Sequence, residues 1–315
     1  TVSDAELTST ASQGVVVEGQ NSVTLENVTL TADNNTKNSD KSDYYQAVMI
    51  YQSMSGDADQ GTAAFTMKGG SLTNQNGDVF FVNNTVATIT LENAVITNNG
   101  DGVFLRAAAA GWGTEGKNGG LVTLKATNQT IDGDMVIDEV SSLNLYLSSG
   151  SVFTGAIESS GAAAADETGG EVYVELTEGS KWKLTGDSYI TSLTCEADSI
   201  DLNGYTLYVN GEAYEEGTES KGEAIEQKME GGSGPEGMPG EGGPGQGGPG
   251  GDGNAPEMNG EAPEMNGEAP EMNGEAPEGM TPPDGAQGNG NAKDGMTPPD
   301  GMGGPGGNGG TLPEK

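Results

Sequence analysis

The sequence predicts an all-β solenoid of stacked parallel strands followed by a structureless tail, and three observations lead there. The first is a repeat. Phe65-Thr66-Met67-Lys68-Gly69-Gly70-Ser71-Leu72-Thr73-Asn74 aligns with Ile89-Thr90-Leu91-Glu92-Asn93-Ala94-Val95-Ile96-Thr97-Asn98 at an offset of 24 residues. The same offset carries Val79-Phe80-Phe81 onto Val103-Phe104-Leu105. A period of this size marks solenoids, whereas a β-sandwich has no reason to repeat in register. The second is local: each copy alternates apolar and polar over three to five residues and most then break at Gly, Asn or Asp, which is strand patterning with turn punctuation. The third is proline, of which all 14 lie between Pro235 and Pro313. Stacked strands donate an N–H to each neighbour and proline would delete it, so a body without proline fits a parallel stack.

Taken in order, Val23-Thr24-Leu25-Glu26-Asn27 opens the series, and Thr66/Thr90 and Asn74/Asn98 are predicted to stand one above the other as ladders. Looser copies start at Val122, Leu143, Val172 and Ile200. Residues 32–46 and 106–120 interrupt the pattern and read as loops projecting from single turns of the solenoid. Trp182, alternating with Lys181 and Lys183, reads as a core residue of a late turn, as does Cys195, which follows Leu193 at period two. These assignments place the solenoid at residues 1–214. Residues 215–230 form a polar linker, within a stretch from 212 that has the makings of a marginal helical turn or two. Residues 231–315 are a separate object. Glycine and proline make up 42 of these 85 residues, in units such as Ala255-Pro256-Glu257-Met258-Asn259-Gly260-Glu261 and Gly279-Met280-Thr281-Pro282-Pro283-Asp284-Gly285. So little apolar surface cannot offset the entropy of ordering, which predicts a disordered acidic tail of polyproline II character.

Composition excludes several functions. With no histidine and one cysteine there is no Ser-His-Asp or Cys-His relay, no His-ligated zinc and no internal disulfide. Twelve basic against 48 acidic side chains give a net charge of −36, so nucleic acid and anionic membrane surfaces are poor partners. No apolar run is long enough to span a bilayer. The absence of an initiator Met at Thr1 suggests a processed or excised segment.

Three segments carry a resemblance: 49–58 (Met49-Ile50-Tyr51-Gln52-Ser53 onward), 95–104 (Val95-Ile96-Thr97-Asn98-Asn99 onward) and 119–130 (Gly119-Gly120-Leu121-Val122-Thr123 onward). They resemble secreted right-handed parallel β-helix proteins of anaerobic Firmicutes, pectate-lyase-like in fold and often labelled adhesin-like or carbohydrate-binding. Trp182-Lys183-Leu184-Thr185-Gly186-Asp187 is similar to a coil motif of autotransporter passengers. The resemblance covers roughly residues 14–210. It implies a right-handed helix, secreted or at the cell surface, that presents a surface without demonstrated catalysis. It supplies no functional residues to carry over.

The residues themselves offer candidates of three kinds. Calcium takes six to eight oxygens, and Asp33, Asp40 and Asp43, with Asn34 and Asn35 between them, lie in one loop and are the candidate metal ligands. Asn98, Asn99 and Asp101, and Asp132 and Asp134, stand at corners where Asx residues also serve as turn formers. A lyase would need a base, for which Arg106, the single arginine, and Lys125 are the candidates beside their reading as ion-pair partners. Glycan binding wants flat aromatic faces. Tyr44, Tyr45 and Tyr51 flank the first loop, and Trp112 sits between Gly111 and Gly113, with exposure and local packing both open to it. The expected function is therefore an exported, non-enzymatic, adhesin-like monomer that binds an extracellular glycan or a host or cell-surface protein. A calcium-dependent polysaccharide lyase or glycoside hydrolase and a structural spacer are the alternatives.

Overall fold

The computed structural model describes residues 1–37, 41–42, 44–53, 62–159 and 170–228. Asp40, Asp43 and the 231–315 tail lie outside the described residues. Within them the chain is strand-rich and contains no α-helix.

An eight-stranded sheet joins Val2–Ser3, Ser22–Glu26, Ala63–Lys68, Thr85–Glu92, Gly120–Thr127, Ser142–Ser148, Glu171–Leu176 and Ser192–Thr194 in that order. A six-stranded sheet joins Val15–Glu18, Gln46–Tyr51, Asp78–Asn83, Val103–Ala107, Asp134–Ile137 and Ile157–Ser159. Glu6–Ser9, Thr29–Ala32, Ser71–Asn74 and Val95–Asn98 make one four-stranded sheet, and Thr130–Asp132, Val152–Thr154, Lys181–Lys183 and Ile200–Asp201 another. Every pairing between these strands is parallel. From Ser22 to Lys68 the chain visits the eight-, four- and six-stranded sheets in turn and then returns to the first, and it repeats that circuit. This arrangement of stacked parallel sheets is compatible with a parallel β-helix.

Register makes the repeat physical. Thr24, Thr66 and Thr90 are Cα partners in adjacent strands, and Asn74 pairs with Asn98. Alternate residues point inward and stack in files such as Leu25, Met67, Leu91, Ala126, Leu147 and Leu176, all buried. Phe65, Phe80 and Phe104 interlock with ring centroids 5.4–5.5 Å apart. Burying each such side chain contributes about 1.5–3 kcal/mol, and no single circuit could enclose its own apolar face.

The Asn and Gly punctuation has a conformational cause. Asp4, Asn27, Gly69, Asn93, Asn128 and Ser149 follow successive strands of the eight-stranded sheet, and all have positive φ, between 46° and 61°. Gly pays nothing for this left-handed backbone, and Asn and Asp tolerate it better than other residues. The column also extends the ladder: Asn27 N–H donates to Lys68 O, Gly69 N–H to Glu92 O and Asn93 N–H to Thr127 O. At a second corner Asn74 Nδ2 donates to Asn98 Oδ1 at 3.0 Å and to Gly77 O at 2.8 Å.

Four local features depart from the sequence pattern. Phe80 pairs with Leu105 and Phe81 with Arg106, one residue beyond the 24-residue offset. The extra residue is Phe104: Val103 pairs with Asp134 and Leu105 with Met135, a bulge that lets both Phe104 and Leu105 be buried. The Ile200 copy belongs to the second four-stranded sheet, where Ile200 pairs with Trp182; an alternation of three residues does not specify which sheet a strand joins. Loop 108–119 folds back onto the six-stranded sheet instead of projecting, because outward-facing Met49 and Phe81 give it apolar surface to cover. Finally, residues 220–228 form no helix. Ser220 exchanges backbone bonds with Cys195, and Gly222 N–H donates to Thr194 Oγ1. Ile225 pairs through both backbone groups with the Asn144 side chain, and Ser142 Oγ donates to Gln227 Oε1. The segment crosses the outer face of the eight-stranded sheet as a strap, its polar groups taken by side chains a helix could not reach.

Trp182 and Cys195 are in the core. Trp182 is fully buried against Phe153, with Nε1 donating to Gly155 O at 2.9 Å. Burial pushes the Cys195 thiol above its usual pKa.

Candidate functional site

The outer face of the six-stranded sheet carries the site. Outward positions there run Val16, Met49, Phe81, Arg106, Val136 and Glu158 in register. Outward apolar side chains need cover, and two loops supply it. Met49 and Phe81 form a second cluster with Ala108 and Trp112, against which Tyr44, Tyr51 and Ala110 pack. Trp112 meets Tyr51 edge-on at 5.0 Å, Tyr44 meets Phe81 at 5.4 Å, and the Lys41 ammonium lies 6.0 Å from the indole centre. Three of the four aromatic candidates therefore converge, but Trp112, 6% exposed, serves as a clamp and not as an open platform. Tyr45 stands apart, half-buried, its carbonyl accepting from Asp78 N–H.

Arg106 is not a solvated side chain. Its Nε donates to Asp78 Oδ2 at 2.7 Å and its Nη2 to Asp78 Oδ1 at 3.2 Å, while the guanidinium sits 4.4 Å over the Tyr44 ring. The Asp78 side chain is 3% exposed and that of Arg106 18%. Burial pushes the Asp78 carboxyl above the usual carboxylate range, and Arg106 draws it part of the way back. Lys125, the other candidate base, is exposed on the eight-stranded sheet between Thr90 and Tyr146. The two are on different sheets.

Of the candidate metal loop, Asp33, Asn34 and Asn35 are among the described residues; Asn34 is buried with Nδ2 donating to Gln46 O, Asn35 Nδ2 donates to Thr10 O, and Asp33 is the one acid of the three. It is half-buried and its N–H donates to Ser9 O. Of the corner Asx residues, Asn98 serves its own turn and Asp134 ties distant segments together. Asn98 Oδ1 accepts from Gly100 N–H and its Nδ2 donates to Val103 O; Asp134 Oδ1 accepts from Ala156 N–H and Thr185 Oγ1. Among the described residues no three acidic or thiol side chains converge closely enough to hold an ion.

Beside the Trp112 clamp, loop 109–118 and the turn at Asp138–Val140 enclose an open groove of about 640 Å³. It is lined by Ala109, Ala110 and neighbouring glycines together with Glu115, Asn118, Asp138 and Glu139. Asn118 fixes the loop: Nδ2 donates to Ala110 O at 2.6 Å and Trp112 O at 2.8 Å. Asn83, beneath it, donates to Ala108 O and Asn118 O. Gly113 (φ +79°) passes so close to Asn84 that a Cβ would lie 2.2 Å from Oδ1. Across the groove, Asp138 accepts from Ala109 N–H, Val140 N–H and Ser141 Oγ, and so ties turn to loop. Asn118 escapes sequence analysis because nothing local marks it, and the Asp138 turn was passed over. Asp138-Glu139-Val140-Ser141 does have Asx-turn chemistry, which was the available signal. The chain matches no protein-family model, no curated protein and no solved structure.

Proposed function

We propose that this chain is an exported right-handed parallel β-helix of the adhesin-like, non-enzymatic kind, and that the groove between loop 109–118 and the Asp138 turn binds a glycan. The observation that carries the reading is the groove's construction. A loop of small residues is held rigid from below by the Trp112 clamp and the Asn83–Asn118 bonds, and from across by Asp138. Binding sites are held this way because a preorganised surface loses little entropy on engagement. Its volume falls within the ~300–1,000 Å³ of small-molecule clefts. Exposed Glu115 and Glu139 are among its lining residues, and carboxylates pair with sugar hydroxyls. A binding role also suits Arg106, whose donors are already directed at Asp78.

The test is a polysaccharide array probed with the full chain, in calcium and then in chelator, alongside an Ala109→Phe variant that fills the groove. Retained glycans that the variant no longer captures support the reading. Equal capture by both proteins, or none by either, refutes it.

A further inference from the structure

We propose that the outer face of the eight-stranded sheet is a docking track for segments of the form Gly-Glu-Ala-x-Glu, and that tail repeats of this same chain take the place of the strap when it lifts. The strap displays the recognition chemistry. Ser220 exchanges both backbone bonds with Cys195 at 3.1 Å, Gly222 N–H donates to Thr194 Oγ1 at 3.0 Å, and Glu223 N–H donates to Ser192 Oγ at 2.9 Å. Asn144, 4% exposed, then engages both backbone groups of Ile225, at 2.9 Å and 2.8 Å. Each of these bonds reads main chain, so the track holds a segment by its N–H and C=O groups and leaves selection to the side chains between them. One position is selective. A Cβ on Gly222 would fall 2.1 Å from Ser192 Oγ and 2.9 Å from the backbone N and O of Leu193, so only glycine passes there.

The strap's motif recurs in the tail. Gly222-Glu223-Ala224-Ile225-Glu226 is matched by Gly260-Glu261-Ala262-Pro263-Glu264, Gly267-Glu268-Ala269-Pro270-Glu271 and Gly274-Glu275-Ala276-Pro277-Glu278, which lie outside the described residues. Four of the five positions agree in every copy, the selective glycine among them. That glycine clears Ser192, and the residue after it carries the N–H that Ser192 Oγ accepts. The one difference has a defined effect. Proline offers a carbonyl to Asn144 Nδ2 but no N–H to Asn144 Oδ1. A docked repeat leaves that buried acceptor unpaired, so it binds at least about tenfold more weakly than the strap sequence. The intact strap therefore keeps the track. The repeats follow it by about 40–50 residues, and because loop-closure entropy grows slowly with length they are within reach once it is gone.

The experiment follows the Asn144 side-chain amide of the full chain by heteronuclear NMR. Gly222→Val, or the milder Gly222→Ala, lifts the strap through its clash with Ser192, so the Ile225 amide should lose hydrogen-exchange protection while amides of the eight-stranded sheet keep theirs. A repeat then takes the track, and the Asn144 amide should stay nearer its parent shift than that of a free amide, at every protein concentration. Adding Gly260→Val/Gly267→Val/Gly274→Val should move it to the free position. Titrating the synthetic peptide Asn-Gly-Glu-Ala-Pro-Glu-Met into that multiple variant should restore the bound shift, and a peptide with valine in place of the glycine should not. An Asn144 shift indifferent to the repeat substitutions, or two peptides that act alike, overturns the proposal. So does an Ile225 amide that stays protected in both Gly222 variants, because the glycine is then not selective. A shift that returns to the free position on dilution overturns docking within one chain and assigns the repeats to a second copy.

Discussion

Replacing Arg106 with Met isolates the charge it supplies. Met retains an apolar stem over Tyr44 but takes both hydrogen bonds from Asp78, whose side chain is 3% exposed. Breaking a buried pair by removing one partner costs about 3–5 kcal/mol, because the other charge stays buried and uncompensated. For a folded body of this size a kcal/mol is worth about 2–4 °C, so the melting temperature should fall by roughly 6–20 °C. The loss should also depend on pH in a defined sense. Burial already raises the folded-state pKa of Asp78, and without Arg106 burial acts alone and raises it further. A carboxyl raised in the folded state favours folding while protonated, and that contribution is lost as pH rises through the folded pKa. The deficit of Arg106→Met relative to the parent should therefore be largest at neutral pH and shrink as pH falls through the carboxylate range. Thermal melts of both proteins followed by circular dichroism at pH 7, 5.5 and 4 measure it. Asp78→Asn added to Arg106→Met should recover most of the loss, since the unpaired charge is gone. A deficit constant with pH, or undiminished in the double variant, would show that Arg106 matters through its packing on Tyr44 and refute the charge argument.

Three further outcomes follow from the same geometry. Trp112→Ala should cost about 3–5 kcal/mol and expose residues 108–118 to limited proteolysis, since the indole is what closes the Met49–Phe81 cluster; an unchanged cleavage pattern would contradict its role as a clamp. Gly70→Ala should destabilise more than Gly116→Ala. Both have positive φ, at about 1–2 kcal/mol each for an L side chain, but a Cβ at Gly70 would fall 2.2 Å from Val28 O while one at Gly116 meets nothing within 4 Å; equal denaturation midpoints would remove the steric argument. Asn144→Ala should release the strap, with hydrogen exchange at Ile225 and its neighbours accelerating while amides of the eight-stranded sheet keep their protection.

Inward-facing positions were legible in the sequence because they share one environment. Phe65 and Ile89, or Leu72 and Ile96, are 24 residues apart and lie in adjacent strands, so the same selection for apolar volume acts on each and leaves a repeat. The turn residues were legible for the same reason, each corner asking for left-handed backbone at the same point in the circuit. Arg106 shows where that reasoning ends. Alignment at constant offset sets Phe81 against Leu105, whereas the bulge at Phe104 sets it against Arg106 and turns the guanidinium outward to Asp78. A single inserted residue changes which face every later side chain occupies, and no composition signal announces it.

Outward positions were illegible for a different reason, and it is the one that bears on function. What covers an outward side chain here comes from far along the chain. Met49 and Phe81 are sealed by Trp112, and Asn144 by Ile225, 81 residues later. An outward Met or Phe therefore reads as an error in alternation until the covering loop is known, and Gly-Trp-Gly reads equally as an exposed platform or a clamp. The structure resolves the ambiguity through pairs: an apolar residue on the wrong face at Phe81, and a lone indole in a glycine-rich loop, are each other's explanation. The groove follows from that pairing, because a loop pinned at its middle by Trp112 and at its end by Asn118 must leave a fixed concavity beside the neighbouring Asp138 turn. The groove is thus a by-product of how the stack disposes of its outward apolar residues, and the cover over those residues is the first place to test for a ligand.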